Sequence, residues 1–358
     1  MHQLGAISLS DPTFPSPILI VHHRPDTDVV DFRPFHNADP PHLLKLWHAA
    51  NLGPSAAGEF PCEILELAVY SRPYFDRKGL ILAVDGEQIA GMVHAGFSGT
   101  ADGSELNRSS GVISSIVVHP DYRRKNIGHQ LIKKAEAYLA ARGARLVTAG
   151  GGPDGNGFYH AIYGGVEPSG FSSESAPWDE FFGSCQYERS AVTKVLHRDL
   201  DVGSAPINSR LLRNRRRLNM SITDRISNQS WWWFARYGHR DALQIEMVDR
   251  RSNNTVATGQ IVGLDVYIPK WGMRAAGIRD VAVKQNERRQ GYAFSLVVEA
   301  CRQLREQSIR LVEVQINEDN TAAIELATKA HFQPVAELKT YQRQLGSPEA
   351  SLSPHLEH

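Results

Sequence analysis

Short apolar runs and amphipathic runs alternate along the chain in an order that occurs twice. The clearest amphipathic run is 127–142, where Leu131, Ile132, Ala135 and Leu139 recur at helical spacing. In the first unit the pattern predicts helices at 40–51, 127–142 and 158–163. It predicts strands at 29–35, 79–84, 88–97, 111–118, 144–148 and 191–196, with Asp85-Gly86 as a hairpin turn.

A second unit follows in the same order. Its predicted strands are 243–248, 255–266, 279–283, 310–316 and 336–344, and its helices are 291–306 and 321–330. Arg123 and Arg288, 165 residues apart, each open a basic loop between an apolar strand and a long helix. Asn156 and Asn320, 164 residues apart, each precede a second predicted helix. Nearly equal offsets of this length indicate duplicated domains, which we place at 28–200 and 206–346.

Composition narrows the class of protein. The chain has 358 residues, enough for two domains, and its 39 Lys plus Arg balance 39 Asp plus Glu. A balanced charge predicts no general attraction to nucleic acid or to an anionic membrane. No apolar run approaches the ~20 residues of a membrane span. Residues 1–27 carry scattered prolines and are interpreted as a poorly ordered lead-in, and 356–358 as the start of a purification tag.

The three cysteines are sparse and widely spaced, at positions 62, 185 and 301. Such a set forms neither a disulfide framework nor a metal-binding cluster, so we expect no metal site. A reducing cytoplasm is the simplest location for a chain of this kind.

Two segments carry the chemistry. The first is Val117-Val118 followed by Arg123, Arg124, Asn126, Gly128 and His129, and the second is Ala282-Val283 followed by Arg288, Arg289, Gly291 and Ala293. In both, small residues at a helix N-terminus allow successive backbone N–H groups to converge where the helix dipole is positive. A pyrophosphate fits such a cradle, and the arginines add donors and charge.

Both segments resemble the acyl-CoA signature of GNAT acetyltransferases, Gln/Arg-x-x-Gly-x-Gly/Ala. The second copy fits in full, with Arg288, Gly291 and Ala293, whereas the first has Asn126 at the first glycine position. Asn tolerates a left-handed backbone better than most residues, so we expect the loop to survive.

The resemblance implies an α/β fold of two tandem GNAT-like domains, each a mixed, mostly antiparallel twisted sheet flanked by helices. It further implies that the strand before each loop splays from its neighbour, so that Val117 and Val118, or Ala282 and Val283, line acetyl-CoA. Asn156 and Asn320 begin segments similar to the family's second cofactor motif, Asn-x-x-Ala-x-x-Leu-Tyr.

The two copies divide the residues expected to be catalytic. The resemblance implies Tyr163 as the acid that protonates the departing thiolate in the first copy, where Ser115 replaces a common carboxylate. In the second copy Asp280 occupies that base-like position, but Ala327 replaces the tyrosine. Tandem members of the family imply that one copy can bind cofactor without turnover, and Tyr163 slightly favours the first copy as the catalytic one.

Several features have plainer interpretations. Tyr163 fits a packed aromatic, Asp280 a partner of Arg279, and His119 and His160 turn residues. The aromatic run 231–234 favours a core or domain interface over a lining for the acceptor, since consecutive aromatics alternate faces in a strand. The basic run 210–217 favours a solvated helix face over a binding site, and Gly150–Gly155 a flexible loop on the acceptor side.

The sequence therefore predicts an N-acetyltransferase that moves an acetyl group from acetyl-CoA to a primary amine of a small molecule or peptide, by direct attack in a ternary complex. Two alternatives stay open. The chain could bind acyl-CoA without catalysis, as a sensor or structural protein, or it could use longer acyl or aminoacyl donors. The acceptor, the copy that binds CoA and the oligomeric state do not follow from the sequence.

Overall fold

The computed structural model describes residues 30–226, 229–238 and 240–346. The predicted lead-in 1–27, positions 28–29 of the first predicted domain and the tag-like 356–358 lie outside the described residues. The strands are β1 (Asp31–Pro34), β2 (Leu80–Asp85), β3 (Gln88–Gly99), β4 (Leu106–Val118), β5 (Leu146–Ala149), β6 (Phe171–Ser172), β7 (Glu188–Asp199), β8 (Leu218–Thr223), β9 (Ala242–Asp249), β10 (Thr255–Gly263), β11 (Ala275–Val283), β12 (Leu311–Asn317) and β13 (Gln333–Gln344).

The helices of the described residues alternate with these strands. They are α1 (Pro40–Ala50), α2 (Cys62–Leu65), α3 (Ile127–Ala140), α4 (Gly152–Gly155), α5 (Trp178–Ser184), α6 (Ser209–Arg217), α7 (Trp231–Tyr237), α8 (Ile268–Trp271), α9 (Tyr292–Glu306) and α10 (Thr321–Lys329). A π-helical turn, Glu66–Tyr70, continues α2. The predicted α/β fold is confirmed, and most predicted elements form within a few residues of their expected bounds.

All the strands join one mixed sheet with approximate internal two-fold symmetry. Its order is β1-β2-β3-β4-β5-β13-β7-β12-β11-β10-β9-β8, with β6 beside β13. The pairs β4·β5 and β11·β12 are parallel, and the remaining neighbours are antiparallel. Each half therefore contributes five equivalent strands, counted inward from its outer edge: β1 to β5 in the first half and β8 to β12 in the second.

The two halves exchange their final strands at the centre of the sheet. The strand predicted at 191–196 forms as β7, but it pairs with β12 of the second half rather than closing the sheet of the first. In return β13 pairs with β5, and β7 and β13 pair with each other. We keep 28–200 and 206–346 as proposed boundaries along the sequence, although neither half closes its sheet without the other.

Both faces of the sheet are covered. On one face, α3 buries Leu131, Ile132 and Ala135 against the first half, and α9 buries Leu296 and Ala300 against the second. On the opposite face, one apolar cluster runs from α1 through residues 158–163 to Tyr267, Ala275 and Leu311 of the second half. Cys301 in α9 is buried in the cluster of the second half.

The helix predicted at 158–163 does not form. Tyr159 and Ala161 have left-handed backbone angles, φ 65° and 59°, which interrupt a right-handed helix. The Asn156 side chain also accepts the Phe158 N–H at 3.0 Å and bends the chain. Residues 156–170 instead run as a buried irregular segment between the two halves, named here the crossing segment.

The aromatic run 231–234 forms helix α7 rather than a strand. Ser230 caps it by accepting the Trp233 N–H at 3.1 Å. The alternation of faces expected for a strand is therefore wrong, but the interface interpretation holds for Trp232, which is buried against glycines of the first half.

Close contact between α7 and the first half requires a glycine at position 99. A Cβ added to Gly99 would lie 2.5 Å from Cγ of Trp232. We expect Gly99→Ala to lower the free energy of unfolding by about 1–3 kcal/mol, because the indole must move out of a packed interface. Urea unfolding measures this. Gly183→Ala in α5, where an added Cβ meets nothing within 4 Å, is the control and should not destabilise the protein.

Candidate functional site

The first predicted cofactor loop joins β4 to α3. Arg124 and Asn126 adopt left-handed angles, φ 63° and 64°, and α3 begins at Ile127. Gln130 donates its N–H to the Asn126 carbonyl at 3.2 Å, so the N–H groups of the preceding turn point out of the helix end. This is the geometry of an anion cradle at the N-terminus of a 14-residue helix.

The second predicted loop, between β11 and α9, has the same conformation. Arg289 and Gly291 adopt φ 63° and 79°, and Ser295 donates its N–H to Gly291 at 3.0 Å. Asn126 therefore occupies the left-handed position of Gly291, as predicted from its tolerance of that conformation. The departure from the motif at Asn126 does not change the shape of the loop.

Both predicted splays are present. The strands β4 and β5 pair only from Ser110↔Leu146 to Ile113↔Ala149, while β4 continues along β3 to Val118. A bulge at Ser114 marks the start of the divergence, since His94 faces Ser115 and Ala95 faces Ile113. Beyond it, the edge of β4 that faces β5 has no strand partner, so its peptide groups can bind an extended ligand.

In the first half, the loop and the splayed strand share one cleft of about 520 Å³. It is lined by β4, the loop, the start of α3, the end of α1 and the segment leading into α5. Its lining includes Ala50, Leu52, Ile116, Val117, Val118, Arg123, Arg124, Asn126, Gly128, His129, Ser175, Trp178 and Phe181. The structure thus brings together all the residues predicted to bind cofactor in the first copy except Asn156.

Two side chains in this cleft have specific structural partners. Arg123 donates Nη2 to the Ala50 carbonyl at 2.7 Å and Nε to the Val118 carbonyl at 3.3 Å, which fixes the loop against the end of α1. His129 Nε2 lies 2.8 Å from Ser184 Oγ of α5. Arg123 therefore shapes the cradle, and Arg124 is the arginine of the pair that is left to meet an anion.

The second half has a larger cleft, of about 870 Å³, around its own loop. Arg288, Arg289, Gly291 and Ala293 line it together with the linker residues 204–208 and Arg210. From β11 it reaches only Val283, whereas the first cleft reaches three residues of β4. The second cleft can hold an anion, but it does not extend into its splay.

The crossing segment explains this difference, because it covers one face of the β11·β12 pair. Val166 lies against Gly277 and donates its N–H to Glu313 Oε1 at 2.7 Å. Glu167 binds Arg279 of β11, and Ser169 donates to Gln315 of β12 at 2.8 Å. These contacts bridge the two strands where a ligand would pass between them.

Tyr163 is buried beside the first cleft rather than in its wall. Its hydroxyl accepts the Ser172 N–H at 2.9 Å and also hydrogen-bonds the side chain of Ser175, which does line the cleft. Burial raises the pKa of Tyr163, so the hydroxyl stays protonated. Ser175 is the neighbour of Tyr163 that lines the cleft, and its hydroxyl donates to the Ser172 carbonyl at 2.8 Å and accepts the Trp178 indole N–H at 2.9 Å.

Asp280 lies at the bulge of β11 with a left-handed φ of 51°, and its side chain is 48% exposed. It pairs with Arg279 at 3.1 Å, the structural role weighed against catalysis from the sequence. Neither Asp280 nor Ala282 lines the second cleft.

The two predicted asparagines have local structural partners. Asn156 is buried, and its Nδ2 donates to the Ser114 carbonyl at 3.4 Å, which ties the crossing segment to the bulge of β4. Asn320 caps α10 by accepting the Ala323 N–H at 3.1 Å. Neither lines a cleft, so their placement does not support the predicted contact with cofactor.

A buried polar group at the β4 bulge escaped the sequence analysis. His94 is 1% exposed, its Nδ1 lies 3.1 Å from the Tyr159 hydroxyl, and its ring packs on Phe158 at 4.2 Å. Tyr159 also hydrogen-bonds Ser115. Burial lowers the pKa of His94 to about 3, so the imidazole is neutral. In the sequence, His94 is visible only as a histidine within an apolar strand. The pattern of apolar and polar residues cannot distinguish such a histidine from an ordinary core residue.

Residues 30–226, 229–238 and 240–346 contain no group of three or more His, Cys, Asp or Glu side chains placed to share a metal ion. Among those residues, no helix has the length and hydropathy required to cross a bilayer.

Comparison with known proteins agrees with this geometry. The model of the acetyltransferase (GNAT) family matches residues 49–164 and 224–332, more than half of the chain. No curated protein sequence matches significantly.

Solved structures share the fold at low sequence identity. A tandem GNAT protein from the clavulanic acid biosynthesis pathway is 17% identical with a TM-score of 0.62, over 89% of this chain and 99% of that one. A GCN5-related N-acetyltransferase from Sphaerobacter thermophilus is 17% identical with a TM-score of 0.57, over 89% and 96%. Saccharomyces cerevisiae N-myristoyltransferase, solved with myristoyl-CoA, is 10% identical with a TM-score of 0.53, over 89% and 79%.

The family match falls on both halves, and each matched region contains a splayed strand and an anion cradle. Members of this family transfer acyl groups from acyl-CoA donors to small-molecule or peptide acceptors. The chain belongs to the GNAT acetyltransferase family and carries two GNAT regions in tandem.

Proposed function

We propose that the first half transfers an acetyl group from acetyl-CoA to a primary amine, by direct attack of the amine on the thioester. The observation that carries this is the continuous cleft of the first half, which joins the cradle at Asn126–Gly128 to the free edge of β4. The second half has an equivalent cradle, but its cleft ends at Val283.

Each part of the cleft fits one part of acetyl-CoA. The N–H groups at the start of α3 and the Arg124 guanidinium would hold the pyrophosphate. The peptide groups of β4 at Ile116–Val118 would bind the pantetheine arm, and backbone N–H groups at the Ser114 bulge would stabilise the carbonyl oxygen that becomes negative during transfer. Acetyl-CoA would supply the acetyl group as an activated thioester.

Direct transfer is supported by the state of the cysteines. Burial raises the pKa of Cys62, Cys185 and Cys301, the last to about 11, so a thiolate nucleophile is disfavoured at each. None of the three lines the first cleft. The acceptor ammonium must lose a proton before attack, at a cost of roughly 4–5 kcal/mol at pH 7 for a pKa near 10.4.

Tyr163 and Ser175 would assist departure of the thiolate. Ser175 lines the cleft, and its hydroxyl, which donates to the Ser172 carbonyl at 2.8 Å, would turn to give its proton to the leaving sulfur while Tyr163 hydrogen-bonds to the serine oxygen. We expect Ser175→Ala to lower kcat about 10-fold or more, with little change in KM for acetyl-CoA, because the bond matters most as charge develops on sulfur. Steady-state kinetics measure this, and Tyr163→Phe should show the same split at smaller size.

The experiment that tests the proposed function is a screen of primary amines with acetyl-CoA, in which free CoA release is followed by a thiol reagent and the product by mass spectrometry. Propionyl-CoA and myristoyl-CoA test the alternative of longer donors. Acetylation of at least one amine at turnover well above hydrolysis supports the proposal. Binding of acetyl-CoA without transfer to any amine would favour a sensor or structural role instead.

We also propose a cytoplasmic location. All three cysteines are free thiols, which suits a reducing compartment.

A further inference from the structure

An aromatic cavity of about 340 Å³ lies between residues 73–76, which precede β2, and residues 95–97 of β3. Six aromatic side chains line it: Tyr74, Phe75, Phe97, Tyr138, Phe158 and Trp231. Tyr74 packs on Phe158 at 4.9 Å and on Trp231 at 6.2 Å between ring centroids, so the walls are already packed against one another. A preformed cavity with such walls favours a planar aromatic ligand.

The charges at the cavity favour an anionic group on that ligand. Asp76 also lines the cavity, but its carboxylate is already paired. Arg142 lies 3.2 Å from its Oδ2, and Tyr138 donates to the same oxygen at 2.9 Å. Arg108 lies 4.7 Å over the ring of Phe97 and forms no salt bridge with a carboxylate of the described residues. Arg108 is exposed and lines the cavity, and a guanidinium placed in this way fits a carboxylate.

The inner wall of the cavity connects it to the reaction centre. Phe75 and Phe158 line the cavity, and both rings contact His94, at 5.6 and 4.2 Å. His94 lies opposite Ser115 at the β4 bulge, where the proposed thioester carbonyl would be. Its Nε2 is buried without a hydrogen-bond partner in the described part of the chain, and it becomes available to the N–H of an amine when the rings of Phe75 and Phe158 part.

Trp231 brings the second half into this cavity. It extends from the first turn of α7, which Trp232 fixes against Gly99 and Gly157 of the first half. The second half, whose own splay is covered, thus completes a cavity of the first.

We propose that this cavity binds the acceptor, and that the acceptor is a small aromatic amine that carries a carboxylate, of the aromatic amino acid class. The proposal rests on the proposed function and names its substrate class. Arg108 holds the carboxylate, the aromatic walls hold the ring, and His94 is a positioning residue that orients the amine. In the transfer, the deprotonated amine forms the C–N bond, the C–S bond breaks, and the second amine proton leaves with the thiolate as free thiol.

The first test measures binding of a probe by titration calorimetry in the absence of acetyl-CoA. The probe is 3-phenylpropionate, which has the ring and the carboxylate but no amine. We expect it to bind the wild type, to bind Arg108→Gln and Trp231→Ala at least 10-fold more weakly, and to bind Arg108→Lys within about threefold of the wild type. Arg216→Gln, an exposed arginine of α6, is the control and should not change binding.

Kinetics with acetyl-CoA complete the test. We expect phenylalanine to be acetylated with a KM that rises at least 10-fold in Arg108→Gln, while phenethylamine, which lacks the carboxylate, is a poor substrate for both proteins. Absence of 3-phenylpropionate binding to the wild type overturns the proposal. So does phenethylamine binding that is as tight as that of phenylalanine and insensitive to Arg108, since it indicates a cage for a cation.

These outcomes separate the two proposals. Binding of 3-phenylpropionate that depends on Arg108, with no transfer to any amine, overturns the proposed function and leaves an aromatic carboxylate site. Transfer to other amines, with no binding in the cavity, overturns the acceptor pocket alone.

Discussion

Gly128→Glu is expected to lower kcat/KM for acetyl-CoA at least 100-fold. Gly128 is the second residue of α3 and lines the cleft beside Asn126. A carboxylate about 5 Å from a pyrophosphate charge costs about 3 kcal/mol at an effective dielectric of 20, and each 1.36 kcal/mol is a factor of ten. Steady-state kinetics with a fixed amine measure the change.

Two variants separate charge from bulk and one half from the other. Gly128→Gln adds similar volume without charge. An added Cβ there lies 3.0 Å from the Phe181 ring, so the bulk alone should cause some loss of kcat/KM. The loss should be smaller than in Gly128→Glu, because no carboxylate repels the pyrophosphate. Ala293→Glu places the same carboxylate at the equivalent position of α9. It should leave kcat/KM within about threefold, and an equal loss in both Glu variants would mean that the second loop also serves turnover.

Arg279→Met is expected to lower the free energy of unfolding by about 3–5 kcal/mol. Arg279 Nη2 lies 2.8 Å from Glu167 Oε1, with side chains only 6% and 9% exposed. Tyr237 donates to the same carboxylate at 3.0 Å. Removal of the arginine leaves a buried carboxylate without this cation, which costs far more than the loss of an exposed pair.

Urea unfolding tests this against two references. Lys329→Gln breaks the Lys329–Glu325 pair, whose side chains are 68% and 70% exposed, and should cost less than about 1 kcal/mol. Arg279→Met combined with Glu167→Gln should recover part of the loss, because the side chain at position 167 is then uncharged. A loss below about 1 kcal/mol for Arg279→Met alone would mean that the crossing segment is not held by this pair.

The features that the sequence predicted correctly are local. The left-handed angle at Asn126 depends on one residue type at one position of a loop, and the hairpin at Asp85-Gly86 on two adjacent residues. The bounds of α3 and α9 follow from apolar periodicity and from the small residues at their starts.

The features that the sequence did not predict depend on distant partners. An apolar alternating strand such as β7 or β13 carries no mark of which edge it will join, so their exchange could not be predicted from either. The crossing segment has helical spacing at 158–163, but its aromatic side chains pack on Trp47 of α1 and His94 of β3. Its backbone adopts left-handed angles at Tyr159 and Ala161 instead of a helix. For the same reason the role of Trp231 appears only when α7 meets the first half.

Titration calorimetry of acetyl-CoA into the wild type, Gly128→Glu and Ala293→Glu tests whether the first half holds the donor for transfer. We expect one site per chain in the wild type, loss of that site in Gly128→Glu, and an unchanged titration in Ala293→Glu. Binding that survives in Gly128→Glu and is lost in Ala293→Glu would place the donor in the second half, and the first half would then not be the site of transfer.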